Sequence, residues 1–210
     1  GKTRNPWDPA RTPGGSSSGS AAAVADCMVP VAFGTQTAGS QIRPASYCGI
    51  IGYKPSFGLI NRTGLKPLSD SQDTIGVYAR SVEDAAFVTE GISGRALLKP
   101  LAEFAGRSLR VGFCQTPVWS RALPETVEAM EQARARFQAE GARVVDVAYP
   151  GAYADIVDIQ TIISDFELVR ALAYEHNHHP EQLSTTLRSR LERAGTLTWE
   201  AYRQACEQAE

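Results

Sequence analysis

Gly14-Gly15-Ser16-Ser17-Ser18-Gly19-Ser20-Ala21-Ala22-Ala23-Val24-Ala25, followed by Val29-Pro30-Val31-Ala32-Phe33-Gly34-Thr35-Gln36-Thr37-Ala38-Gly39-Ser40-Gln41-Ile42-Arg43-Pro44, decide how this chain reads. The stretch sets two serine clusters, around Ser16 and Ser40, on either side of one short apolar helix and strand. Each cluster is bounded by glycines. Glycine lets backbone N–H groups come close to a reacting atom, and serine presents a hydroxyl to it. Read alone, the stretch points to hydroxyl-nucleophile chemistry.

Two other readings of the Gly/Ser run are weaker. A flexible linker is followed by more polar, structureless sequence, whereas an Ala/Val helix pattern follows at once here. Gly15-Ser16-Ser17-Ser18-Gly19 also satisfies the Gly-x-Ser-x-Gly nucleophile elbow, with Ser17 as nucleophile. That elbow needs a strand immediately before it, and Trp7-Asp8-Pro9-Ala10-Arg11-Thr12-Pro13 cannot supply one. The histidines, His176, His178 and His179, cluster before Pro180 at the end of a helical pattern, where cations suit the negative helix end. His176 and His179 could start a metal site, but no cysteine or carboxylate cluster completes it. Without a histidine base, a serine nucleophile needs another one, and a lysine of depressed pKa is the usual substitute.

The rest of the chain is ordinary in composition. Its 210 residues suffice for a substantial core, and 43% apolar with 21% charged residues suits a globular protein. A net charge of −2 gives no basic field for nucleic acid or an acidic membrane surface. Cys27, Cys48, Cys114 and Cys206 are widely spread and form no Cys-x-x-Cys pair, which fits reduced, mostly buried thiols. No run approaches the roughly 18 apolar residues of a membrane-spanning helix, and the polar start is no signal peptide; a cytoplasmic location is the default expectation. The chain opens at Gly1 inside a loop-like segment and stops at Glu210 within a helical pattern, which reads as a piece of a longer protein.

Periodicity predicts a short helix from about Ser20 to Cys27, strands at Val29–Phe33, Ile50–Tyr53 and Thr74–Tyr78, and a helix over Val82–Ile92. After a loop around Gly94–Pro100, a strand at Leu109–Phe113, a helix at Pro124–Ala139 and a strand at Ala142–Ala148 imply a βαβ unit with parallel strands. From Tyr153 the reading is helical: Ile156, Ile159, Ile163, Phe166 and Val169 form one apolar stripe, and shorter helices follow at Ser184–Ala194 and Trp199–Glu210.

Several blocks in fixed order resemble the amidase signature family of serine amide hydrolases. They are Asn5-Pro6-Trp7-Asp8-Pro9, the Gly14–Ser17 block with its Ala/Val helix, and Gly34–Ser40. Pro44-Ala45, Cys48–Pro55, Ser71–Gly76 and Ala79–Ala85 then follow in turn. The dense match covers about residues 1–90, and residues 91–210 are a compatible, helix-rich continuation. The resemblance implies an α/β fold with a mixed, largely parallel sheet flanked by helices on both faces, incomplete at both ends, with residues 1–210 part of a single domain. It implies Ser40 as nucleophile and Ser16, after a cis Gly15–Ser16 peptide and 24 residues before Ser40, as the proton-relaying second serine. The backbone N–H groups of Thr37, Ala38, Gly39 and Ser40 resemble the family's oxyanion hole, with Ser17 in support.

Three departures stand out. The family's catalytic lysine lies far upstream of the first serine block; only 15 residues precede Ser16, so that lysine is expected outside this sequence, and neither Lys2 nor Lys54 fills its role. The family commonly has Asp where Gln36 stands. Its Arg comes two residues after the nucleophile, where Ile42 stands here, with Arg43 one later. The support beneath the oxyanion turn is therefore expected to shift to Gln36 with Arg43. The implied activity is hydrolysis of a linear amide through a serine acyl-enzyme, with no metal or cofactor and a small-molecule substrate. The isolated piece is expected to be inactive. An amidase subunit of a glutamine-dependent tRNA amidotransferase with its partner subunits, a homodimer, and a non-catalytic scaffold are the alternatives.

Overall fold

A computed structural model describes residues 1–96 and 109–210 of the chain. Its first layer is helical. Helix α1 (Ser18–Ala25) and helix α2 (Ile42–Cys48) pack on one face of a three-stranded sheet made of β1 (Val31–Gln36), β2 (Ile51–Tyr53) and β3 (Thr74–Ala79). Ala21, Val24, Ala45, Cys48 and Tyr78 form the core between them. Helix α3 (Val82–Ser93) covers the other face through Ala85 and Val88 against Val77, Ala79, Val31 and Ile51. Because side chains alternate across a strand, Tyr78 points to one layer while Val77 and Ala79 point to the other. Helices on both faces of this sheet are thus as expected. Ser81 caps α3 by accepting the Asp84 amide, with Glu83 and Asp84 at the positive helix end.

The strand order is β1-β3-β2, and both pairings are antiparallel. This corrects the expectation of a largely parallel sheet. The crossover β1-α2-β2 does leave β1 and β2 running the same way, but β3 slots between them and takes the backbone partners of both. Pairing also corrects the first strand. It runs to Gln36 rather than stopping at Phe33, since Gly34, Thr35 and Gln36 pair with Gly76, Ile75 and Thr74. The parallel pair is elsewhere: β4 (Arg110–Cys114) and β5 (Arg143–Val147) flank helix α4 (Pro124–Ala139), the βαβ unit read from the sequence.

By contacts the chain forms two compact units, Gly1–Leu98 with Ile159–Glu210, and Lys99–Asp158. In the second, Phe113 meets Phe137 edge-on and Arg134 lies over Phe113 while pairing with Asp146. In the first, helix α5 (Ile156–Ala171) buries Ile163, Phe166 and Leu168. It is followed by α6 (Ala173–His178), α7 (Thr185–Ala194) and α8 (Trp199–Ala209). Arg190 of α7 pairs with Asp165 of α5 at 2.6 Å, and Tyr202 of α8 stacks on Phe166 with centroids 4.3 Å apart. The part of the predicted loop beyond residue 96 lies outside the described residues.

Candidate active site

Both serine clusters sit in turns at the edges of the first layer. Gly14 adopts φ +79°, and a side chain there would meet the backbone of Pro44 at 2.9 Å, so glycine is needed both for the turn and for its approach to α2. The Gly15–Ser16 peptide is cis, and Ser16 is exposed. The second turn, residues 37–41, links β1 to α2. Its backbone N–H groups at Thr37, Ala38, Gly39 and Ser40 have no protein acceptor among the described residues. Four consecutive donors, free among the described residues and next to a half-buried serine, suit the approach of negative charge.

Backbone and side-chain bonds tie the two turns together. Ser17 N–H donates to the Ser40 carbonyl at 3.3 Å. The Ser17 hydroxyl donates to Thr35 O (3.2 Å) and accepts from Thr35 N (3.0 Å), gripping β1 just before the second turn. It is therefore spent on the strand and makes no cap bond to α1, although Ser17 stands at the N-cap. The Arg43 guanidinium donates to the Gly15 carbonyl at 3.3 Å, and a side chain at Gly39 would lie 2.9 Å from the same guanidinium. Arg43 thus spans the two turns. The hydroxyls of Ser16 and Ser40 make no hydrogen bond to each other or to any other described residue.

The expected pairing of Gln36 with Arg43 does not form. Gln36 Oε1 instead accepts the Gln41 and Ile42 amides, each at 3.0 Å, and so caps the start of α2. A neutral amide carries no charge to hold a guanidinium, while its oxygen suits the two N–H groups that an α-helix start leaves free. Both residues support the turn, by separate contacts.

Sequence reading missed three residues. Tyr78, fully buried, donates its hydroxyl to the Ser40 carbonyl at 3.2 Å. With Gln36 on the Gln41 amide, the peptide plane after Ser40 is held at both ends. Burial is the main cause that pushes the Tyr78 phenol up to about 12. Gln41, also fully buried, fills a slot floored by glycines: a side chain at Gly34 would stand 2.3 Å from its Oε1, and one at Gly76 2.8 Å from its amide carbon. Asp73, buried, accepts the Thr37 hydroxyl at 2.5 Å on Oδ1 and the Leu68 and Ser69 amides at 2.6 and 3.0 Å on Oδ2. The Ser71–Gly76 block was the signal for Asp73, but nothing in it gave the residue a partner.

The described lysines lie elsewhere. Lys54 donates to Pro55 O and Lys66 pairs with Glu175, and none bonds Ser16 or Ser40. His178 stacks on Tyr174, with centroids 4.6 Å apart. Among the described residues no cluster of His, Cys, Asp or Glu could hold a metal ion, and no helix is long and apolar enough to cross a membrane.

A subunit of the glutamyl-tRNA(Gln) amidotransferase of Picosynechococcus is 41% identical over 164 residues, covering 70% of this chain and 34% of that protein. The crystal structure of an amidase overlays 99% of the chain at a TM-score of 0.87 and 32% identity, using 48% of its own length. The peptide amidase of Stenotrophomonas maltophilia overlays all of it at a TM-score of 0.79 and 33% identity, using 50%. The chain therefore spans between a third and a half of the length of these relatives. A family profile described as Amidase matches residues 1–208, and the chain belongs to that family.

Proposed function

We propose that the protein carrying this chain hydrolyses a linear carbon–nitrogen amide bond through a serine acyl-enzyme, and that residues 1–210 are part of one catalytic domain. The observation that carries the reading is the row of amides at Thr37, Ala38, Gly39 and Ser40, unpartnered among the described residues and ending on a serine whose following peptide plane is pinned. Ser40 Oγ attacks the amide carbonyl, and its proton leaves through Ser16. The carbonyl oxygen gains the electron pair and is met by the free N–H groups, where losing one such donor costs roughly 100- to 1000-fold in rate. Collapse expels the amine, protonated by the same relay, and leaves an acyl ester on Ser40. Water then cleaves that ester and restores the hydroxyl. The base that starts the relay is a lysine from outside this sequence. Ser17, Gln36 and Arg43 keep the two turns in register.

The similarity to the amidotransferase component favours a second reading, in which the ammonia released passes to a partner protein of the same complex. Ammonia release from simple primary amides by the whole protein alone tests the first reading. Stand-alone turnover lost in Ser40→Ala supports it. Turnover of glutamine only, and only with partner subunits present, favours the second, and turnover by Ser40→Ala sinks both.

A further inference from the structure

Glu167 lies on α5, far along the chain from both serine turns, yet hydrogen bonds lead from it to the second one. Its Oε2 accepts the Ser69 hydroxyl at 2.7 Å and the Ser71 amide at 3.0 Å, and its Oε1 accepts the Tyr202 hydroxyl at 2.8 Å. Tyr202 is itself fixed by stacking on Phe166, whose ring also carries the Arg170 guanidinium 3.4 Å from its centroid. Two turns before Glu167 on α5, Gln160 donates to the Gln72 side-chain oxygen at 3.0 Å. The segment of residues 69–72 is thus held from α5 at three points.

Ser69 is where this grip meets the site. Its hydroxyl goes to Glu167 while its amide goes to Asp73 Oδ2, and Asp73 Oδ1 holds the Thr37 hydroxyl. Thr37 is the first of the four residues with free N–H groups. Even a half-buried carboxylate is costly unless it is hydrogen-bonded, and Glu167, half-buried, gathers three donors. Burial pushes its carboxyl up, but the bonds from Ser69, Ser71 and Tyr202 outweigh that and the net direction is down. Glu167 therefore stays ionised and can accept from all three donors at neutral pH.

We propose that Glu167 is a positioning residue for the oxyanion turn, clamping residues 69–71 so that Asp73 fixes Thr37. The inference rests on the amide-hydrolysis reading above. Its test uses the whole protein, with an acyl p-nitroanilide as substrate and a fluorophosphonate to titrate reactive Ser40, so that kcat is expressed per titrated site. Glu167→Ala should lower that kcat by about tenfold while KM changes less than about threefold, since the donors act on the transition state. Glu167→Gln should restore most of it. Its carbonyl oxygen can take Ser69 and Ser71, and its NH2 can face a Tyr202 oxygen turned to accept. Thr37→Val should cause a similar loss, and the double variant Glu167→Ala/Thr37→Val should lose little more than either alone. Should Glu167→Ala fail to fold, Ser69→Ala removes only the linking hydroxyl and should lower kcat per titrated site by about threefold, again with KM nearly unchanged. An unchanged kcat per titrated site, or losses that multiply in the double variant, would overturn the proposal. A wild-type protein in which Ser40 neither labels nor turns over substrate would instead refute the underlying amidase reading, and this inference with it.

Discussion

Replacing Tyr78 with Phe keeps the ring in its slot between α1, α2 and the sheet and deletes one hydroxyl, the one that donates to the Ser40 carbonyl at 3.2 Å. That carbonyl keeps the Ser17 amide at 3.3 Å, so no buried acceptor is orphaned and the loss near neutral pH should be about 1 kcal/mol. Alkaline pH changes the sign. The phenol is held at about 12 in the folded chain against an ordinary value of 10. A raised folded value means that the stability it brings is fully present below pH 10 and is lost as pH rises towards 12. Linkage lowers the wild type's stability by something on the order of 1 kcal/mol at pH 11 and by a few kcal/mol at most beyond 12, and Tyr78→Phe has none of it. The gap between the two proteins should therefore narrow as pH rises above 10 and then reverse in favour of the Phe variant. Denaturation midpoints of both, measured from pH 8 to 11.5, read this difference directly, because other alkaline-labile groups cancel. A gap that stays constant across that range would refute the claim that a buried, protonated phenol holds the Ser40 peptide.

Other consequences can be checked alongside. Gly34→Ala should destabilise by about 1–3 kcal/mol or more, because its methyl would meet Gln41, Tyr78 and Ser17 at 2.3, 2.7 and 2.9 Å. Gly19→Ala, in α1 with nothing within 4 Å, should instead stabilise by up to about 1 kcal/mol; thermal midpoints of the pair decide both. Arg43→Ala unties Gly15 from the second turn and should lower kcat by about tenfold with folding intact, which steady-state kinetics and circular dichroism separate. Cys27 is exposed, while Cys48 is buried and its thiol is pushed up by that burial. Iodoacetamide should accordingly modify Cys27 in the native protein and Cys48 only after unfolding, as peptide mapping will show.

Much of this fold was legible in the sequence where local signals and tertiary structure agree. Helix α4 has Pro124 in its first turn and spans Pro124–Ala139 as read, and the caps at Ser81, Ser184 and Thr198 bond as such residues should. What stayed hidden depended on partners distant in sequence. Strand β1 extends over Gly34–Gln36 because β3 pairs with it there, and those residues have no apolar pattern of their own. Helix α2 has Pro44 in its first turn and no apolar repeat, and its start is capped by Gln36 from the preceding strand. The site divides in the same way. The order of the serine and glycine blocks pointed to Ser16, Ser40 and the turn between β1 and α2. Nothing in the sequence singled out Tyr78 or Glu167, since what sets them apart is what they touch. The expected Gln36–Arg43 pair failed because sequence proximity said nothing of the two helix amides competing for the Gln36 oxygen.

Ser40, at the end of a row of amides unpartnered among the described residues, is proposed as the nucleophile. Labelling the whole protein with a fluorophosphonate and mapping the adduct by mass spectrometry tests it most directly. The account predicts one adduct on Ser40, its complete loss in Ser40→Ala, and slower labelling still at Ser40 in Ser16→Ala. An adduct on Ser16 or Ser17 that survives Ser40→Ala would contradict the account and move the nucleophile to the first turn.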